Sequence, residues 1–202
     1  MDILATVAIL NCFVSPVLAI AAFWFLYLYF KKNADSGRKI KRLENRIASI
    51  SRTSMNAVRE GWFEEIKALE YASELEVESK FVYPMMRYLG YSPKDLKMRI
   101  DVTVRVGRAD VKGISDWVVY QNEIPKIVIE AKAEGQWLDN QVQEQARSYC
   151  FAMNAPMYIL ANGKEIKLYV RSVEKDQLVF QSQAAELSQK WGELYDLIGV
   201  ST

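Results

Sequence analysis

From Ile3 to Phe30 the chain reads "ILATVAILNCFVSPVLAIAAFWFLYLYF", 28 residues without a charge. As a helix this run would be about 42 Å long, enough to cross a bilayer with tilt. Asn11, Ser15 and Pro16 are interruptions that a membrane helix accommodates, and Trp24, Tyr27 and Tyr29 form an interfacial belt. Beyond it, Ile40, Leu43, Ile47 and Ile50 recur at spacings of three and four, the pattern of a short amphipathic helix of coiled-coil type. It reads either as a plain juxtamembrane helix or as an oligomerisation stalk, and Gly61 is expected to loosen or end it.

The pattern then becomes that of a globular domain. Ser73 with Glu76 offers a capping box that opens a helix ending near Gly90, on which Glu78 shares a face with Val82, Met85 and Leu89. Runs of β-branched and aromatic residues predict strands over roughly 98–106, 115–121 and 126–132, followed by a helix over 138–153. "PMYILANGKEIKLYV" places Asn162-Gly163, a strong hairpin signal, between two alternating runs. A strand near 177–181 and a closing helix over 184–197 complete the order. Mixed strands flanked by helices predict an α/β or α+β domain with one central sheet. The expected organisation is a transmembrane helix with a short tail (1–31), a basic helical stalk (32–72) and a domain over 73–202.

Composition narrows the chemistry. Charges nearly cancel among the 202 residues, 26 Lys and Arg against 25 Asp and Glu, so net charge alone predicts no polyanionic partner. Histidine is absent, which removes imidazole-dependent triads, Cys-His pairs and zinc sites built on histidine. The two cysteines, Cys12 and Cys150, suit a reducing compartment. A cleaved signal peptide would need a basic stretch before the apolar run and a shorter run. Only Asp2 is charged before that run, whereas Lys31, Lys32, Arg38, Lys39, Lys41, Arg42 and Arg46 follow it. The positive-inside rule therefore puts the remainder in the cytoplasm, with the amino terminus outside the cell membrane. The same basic residues are suited to anionic lipid headgroups. No "GxxxxGK[ST]" phosphate loop occurs, which argues against a nucleotide-driven motor.

The strands around "SDWVVYQNEIPKIVIEAKAEG" carry three misfits: Asp116, Glu130 and Lys132. A hairpin centred on Glu123 would set Tyr120 opposite Lys126, Val118 opposite Val128 and Asp116 opposite Glu130, with Lys132 on the face of Glu130. Two carboxylates so close repel unless a cation or a proton neutralises them. Such a group can hold Mg²⁺ and direct a water at a phosphodiester, with Lys132 holding or deprotonating the water or stabilising developing charge. Spacing alone leaves open a surface carboxylate pair with a compensating lysine.

"SDW" and "IVIEAK" resemble the Asp and Glu-x-Lys halves of the PD-(D/E)xK nuclease superfamily. With "ESKFVYPMMRYLGYSPKDLK" and "QARSYCFAMNAPMYILANGKEIKLY", they are similar to the amino-terminal nuclease domain of type I restriction enzyme R subunits, over roughly 74–170. The resemblance implies an α/β restriction-endonuclease-like core with a central mixed sheet flanked by helices, Asp116 and Glu130 as metal ligands and Lys132 as the catalytic lysine. It also implies a Gln-x-x-x-Tyr element, Gln145 and Tyr149, that organises the site or touches the DNA backbone. Glu78 takes the place of the acidic residue contributed by the first core helix, with Glu74 and Glu76 as competitors. Ser115 stands where the motif has proline. Asp110, in "GRADVKG", competes with Asp116 as first ligand but looks like a loop residue, and the hairpin register favours Asp116. Lys94, Lys97, Arg99, Arg105, Arg108 and Lys112 are expected to form a phosphate-contacting rim or a solvated charged face.

The resemblance implies an endonuclease that hydrolyses DNA with Mg²⁺, Mn²⁺ being a substitute, in restriction-type defence against foreign DNA. The membrane anchor expected from the apolar run is a departure from that family's architecture, in which the nuclease domain continues into a helicase motor. The partners of this chain would be DNA, the lipid bilayer, a second copy through the stalk and an unidentified defence component. The alternatives are a catalytically inactive interaction or sensor module, and a nuclease acting on RNA.

Overall fold

The computed structural model describes residues 37–200. The apolar run over 3–30, with its expected membrane span, lies outside the described residues, and among those described no helix is long and apolar enough to cross a membrane. Helix α1 spans Gly37–Ala68. Its residues up to Asn56 belong to one compact unit and those from Ala57 onward to another. The helix does not stop at Gly61, because Trp62, Phe63 and Ile66 immediately beyond it are buried in the main core. Packing thus offsets the roughly 1 kcal/mol that a glycine costs inside a helix. Those three residues fall within the stretch expected to be stalk.

The expected helix over 73–90 is a composite. Ser73 caps α2 (Glu74–Val77) by accepting from the Glu76 amide at 3.3 Å, and the Glu76 carboxylate reaches back to the Ala72 amide, one residue before the cap. A π turn, Glu78–Val82, then leads into α3 (Tyr83–Tyr88). Pro84 has no N–H to give to the Lys80 carbonyl one turn back. The Trp62 indole Nε1 donates to that carbonyl at 3.0 Å instead.

Six strands form one sheet in the order β1 (Leu96–Val106), β2 (Ala109–Gln121), β3 (Ile124–Ala131), β4 (Met157–Ala161), β5 (Glu165–Val170) and β6 (Gln177–Gln183). Neighbours are antiparallel except β3 and β4, which run parallel and are joined through α4 (Asn140–Met153). Helix α5 (Leu187–Ile198) closes the chain. Alternation along the strands divides the core. Ile127, Ile129, Ile159 and Ala161 face α1, the composite helix and α5, whereas Val128, Tyr158 and Leu160 pack with Ala146, Tyr149 and Cys150 of α4. The result is a mixed sheet with helices on both faces.

Two hairpins differ in detail from the expected register. At Asn122 and Glu123, φ is 52° and 65°, so a two-residue turn joins Gln121 to Ile124. Val118 lies opposite Val128 as expected, but the register shifts after Val119 and Tyr120 faces Pro125 rather than Lys126. A proline that cannot donate to the ladder is tolerated at such a bulge. Strand β2 also begins at Ala109, so Asp110 is a strand residue paired with Arg105 and not a loop residue. The β4–β5 turn follows the Asn-Gly signal. Gly163 has φ of 80°, and a Cβ there would lie 2.5 Å from the Tyr71 ring, which leaves room for glycine alone.

Candidate active site

Strand β3 carries Glu130 at its carboxyl end, where the sheet is buried on both faces and Glu130 is 1 % exposed. Its Oε1 accepts from Lys132 Nζ and from Gln145 Nε2, each at 2.6 Å, while Oε2 is buried with no hydrogen-bond partner. Gln145 reaches it from α4, whose first turn is fixed by Asp139 Oδ1 accepting from the amides of Gln141 and Val142. Burial first, and then the charge of Asp116, push the Glu130 carboxyl up to about 7 despite the stabilising contact of Lys132. Burial alone would lower the Lys132 ammonium, but its hydrogen bond to Glu130 and the charges of Glu130, Glu74 and Asp116 leave it raised.

Asp116, on the neighbouring strand, accepts from the Ala131 amide through Oδ2 at 2.8 Å. Its Oδ1 accepts from Arg99 Nη1 at 3.0 Å, and Arg99 Nη2 donates to Glu78 Oε1 at 2.6 Å. Glu78 is fully buried in the π turn, and its other oxygen accepts from the Trp117 indole at 2.9 Å. Burial is the main cause that raises the Glu78 carboxyl, and Arg99 opposes it. Arg99 is thus a cationic bridge between carboxylates from two elements. It does so with φ of 52°, a left-handed conformation in the middle of a strand. A charge-assisted, two-pronged contact of this kind suits guanidinium geometry.

The structure therefore gathers Asp116, Glu130, Lys132 and Gln145, and connects Glu78 to them through Arg99. Glu76 is occupied with the helix cap and Lys80, and Glu74 stands 4.0 Å from Lys132. Asp110 is exposed near the far end of the β1–β2 hairpin. Tyr149 packs in the apolar cluster of α4, over Gly113, where an added Cβ would lie 2.6 Å from its hydroxyl. Its ring therefore braces α4 on β2. Arg99 is the member that sequence reasoning placed on a rim and not in the site. The signal for it is weak, because an arginine amid alternating strand residues reads as solvated.

Among the described residues no group of three or more acidic, histidine or cysteine side chains converges closely enough to hold a metal ion. Asp116 and Glu130 remain as a pair of hard oxygen donors, and Glu130 Oε2 is a buried lone-pair donor without a hydrogen bond. Mg²⁺ is commonly bound by one or two carboxylates together with substrate phosphate and water, so the pair fits that ion. A groove of about 570 Å³ adjoins the cluster, lined by Lys132, Gln136, Trp137 and Gln145 among others. On the β1–β2 hairpin, Lys97, Arg105, Arg108 and Lys112 are exposed.

Among solved structures, the chain is similar to a fragment described as an HsdR subunit of a type I restriction enzyme from Vibrio vulnificus YJ016, with 20% identity and a TM-score of 0.43. The similarity covers 60% of this chain and 26% of that one, so the chain spans about a quarter of that relative's length. It is also similar to SSO0001, with 14% identity and a TM-score of 0.28, over 67% of this chain and 83% of that one. No curated protein matches the chain. The model of the type I restriction enzyme R protein N terminus matches residues 73–183, from the Ser73 cap to the end of β6. That segment is more than half of the chain and contains all six strands and every residue of the cluster. The chain therefore belongs to the family of type I restriction enzyme R protein N-terminal domains.

Proposed function

We propose that this protein is a metal-dependent endonuclease of PD-(D/E)xK type that hydrolyses DNA phosphodiester bonds in restriction-type defence. The observation that carries the reading is the state of Glu130: one oxygen is held by Lys132 and Gln145, and the other is buried and unpartnered beside Asp116. A buried carboxylate oxygen in that condition calls for a proton, a water or an ion to satisfy it. Asp116 and Glu130 would hold Mg²⁺, which when bound lowers the pKa of a water and stabilises charge on the phosphate. Lys132 keeps 16% of its side chain exposed while bonded to Glu130, so its ammonium can turn to the scissile phosphate or the attacking water. Gln145 fixes the Glu130 carboxylate in one orientation. The exposed lysines and arginines of the β1–β2 hairpin supply sequence-independent phosphate contacts that weaken with salt.

In the same reading the uncharged run over 3–30 anchors the protein in the cell membrane with the nuclease domain in the cytoplasm, and the basic helix that follows lies against lipid or a second copy. A second reading, a catalytically inactive sensor module, is favoured by Arg99. Its guanidinium already engages one oxygen of Glu78 and one of Asp116. The two readings separate on incubation of the full chain with Mg²⁺ and either DNA or RNA. Cleavage of DNA that is lost in Asp116→Asn supports the nuclease, cleavage of RNA alone changes the substrate, and intact nucleic acid in both supports the inactive module.

A further inference from the structure

Between Lys132 and α4 the chain holds one aromatic ring in solvent. Trp137 is 85% exposed, whereas Trp62, Trp117 and Trp191 are 5%, 5% and 6% exposed. A ring on a loose loop would mean little, but the backbone on either side of it is fixed. The Gln136 carbonyl accepts from Asn162 Nδ2 at 2.9 Å, the Leu138 carbonyl accepts from Lys167 Nζ at 3.2 Å, and the Leu138 side chain is buried. Just upstream, Glu134 is held by the Tyr71 amide at 2.8 Å and by Lys164 at 3.4 Å. The β4–β5 hairpin thus clamps the peptide on which the indole is carried, and leaves the indole itself uncovered.

The position of the ring identifies its occupant. Trp137 lines the same groove as Lys132 and Gln145, whose side chains converge on Glu130. The rest of the wall is Val142, Asp139, whose Oδ1 is occupied by the amides of Gln141 and Val142, and the side chains of Gln136 and Gln141, which can donate to and accept from base edges. An extended strand whose phosphate lies at Lys132 would run its neighbouring nucleotides into this groove. We propose that Trp137 is a stacking platform for a nucleobase next to the scissile phosphate, and that the nucleotide there is unpaired. A base inside a duplex offers its edges, and its faces become available only once it is unstacked. The substrate class is therefore single-stranded, frayed or branched DNA. This proposal rests on the reading of the adjoining site as a nuclease.

The test measures binding and cleavage separately on the full chain. In EDTA, a labelled single-stranded oligonucleotide is expected to quench indole fluorescence, and Trp137→Ala is expected to weaken its binding about 5- to 160-fold, the range for loss of one base stack. Trp137→Phe keeps a ring and should recover most of the affinity, and Trp137→Ala should penalise a duplex of the same sequence less. Because Trp137 is 85% exposed, the thermal transition should not move. Equal binding by wild type and Trp137→Ala overturns the proposal, as does a wild-type chain that binds no oligonucleotide, or an equal penalty on duplex and single strand. Cleavage in Mg²⁺ distinguishes the two readings. A Trp137→Ala binding defect with no cleavage by wild type keeps the stacking platform and removes the nuclease, whereas cleavage with unchanged Trp137→Ala binding does the reverse.

Discussion

Arg99 and Asp116 face each other from β1 and β2, Nη1 3.0 Å from Oδ1, with Arg99 in a left-handed backbone conformation that only a few per cent of non-glycine residues adopt. The same guanidinium holds Glu78, so one half-exposed cation serves two buried carboxylates. Arg99→Ala is expected to destabilise the fold by about 1–2 kcal/mol near pH 8, less than a fully buried pair would lose because solvent screens an exposed guanidinium. The deficit should shrink towards pH 4, because burial raises the Glu78 carboxyl and its protonated form needs no cation. Urea denaturation of both proteins across that range checks it, and a deficit independent of pH would contradict the ionic account.

Glu130 titrates with the opposite consequence to a salt-bridged surface acid. Its folded-state pKa is raised from 4.5 to about 7, so between those values the folded chain binds more protons than the unfolded one. The contribution of Glu130 to stability is therefore largest below about pH 4.5, falls as pH rises to about 7 and levels off above it. The fall attributable to Glu130 is of the order of a few kcal/mol. Glu130→Gln should flatten this part of the stability profile, measured by denaturant titration at successive pH values.

The Trp62 indole and the Pro84 ring answer each other. Trp62→Phe should cost about 1–2 kcal/mol beyond its small volume change, because the Lys80 carbonyl loses its donor. Pro84→Ala restores a backbone N–H to the helix, so the hydrogen-bond part of the Trp62→Phe penalty should diminish in that background. A double-mutant cycle by thermal denaturation reads the coupling, and strictly additive losses would contradict it.

Much of the site was legible because strand alternation is a strict period. Given the Glu-x-Lys string, Val118 opposite Val128 puts Asp116 and Glu130 on adjoining strands whatever the turn does. The Asn-Gly turn and the buried face of Glu78 were equally readable from local spacing. Arg99 was not, because its role depends on a positive φ that nothing in the local sequence demands. Strand residues 109–114 were hidden by Gly107 and Gly113, of which the first makes the turn with φ of 62° and the second clears space for Tyr149. Tyr149 shares a helix face with Gln145, yet its ring reaches the apolar wall while the amide reaches Glu130. The passage of α1 through Gly61 reflects long-range burial of Trp62 and Phe63, which no local propensity reports.

The central claim, that Asp116, Glu130 and Lys132 act as one hydrolytic site, is tested most directly by Lys132→Ala in the full chain. The measurement is single-turnover cleavage of a labelled DNA strand in Mg²⁺, with circular dichroism showing that the variant is folded. Removal of a cation aimed at developing charge predicts a loss of at least about 100-fold in rate, with DNA affinity changed only a few-fold. Cleavage by folded Lys132→Ala at the wild-type rate would contradict the account.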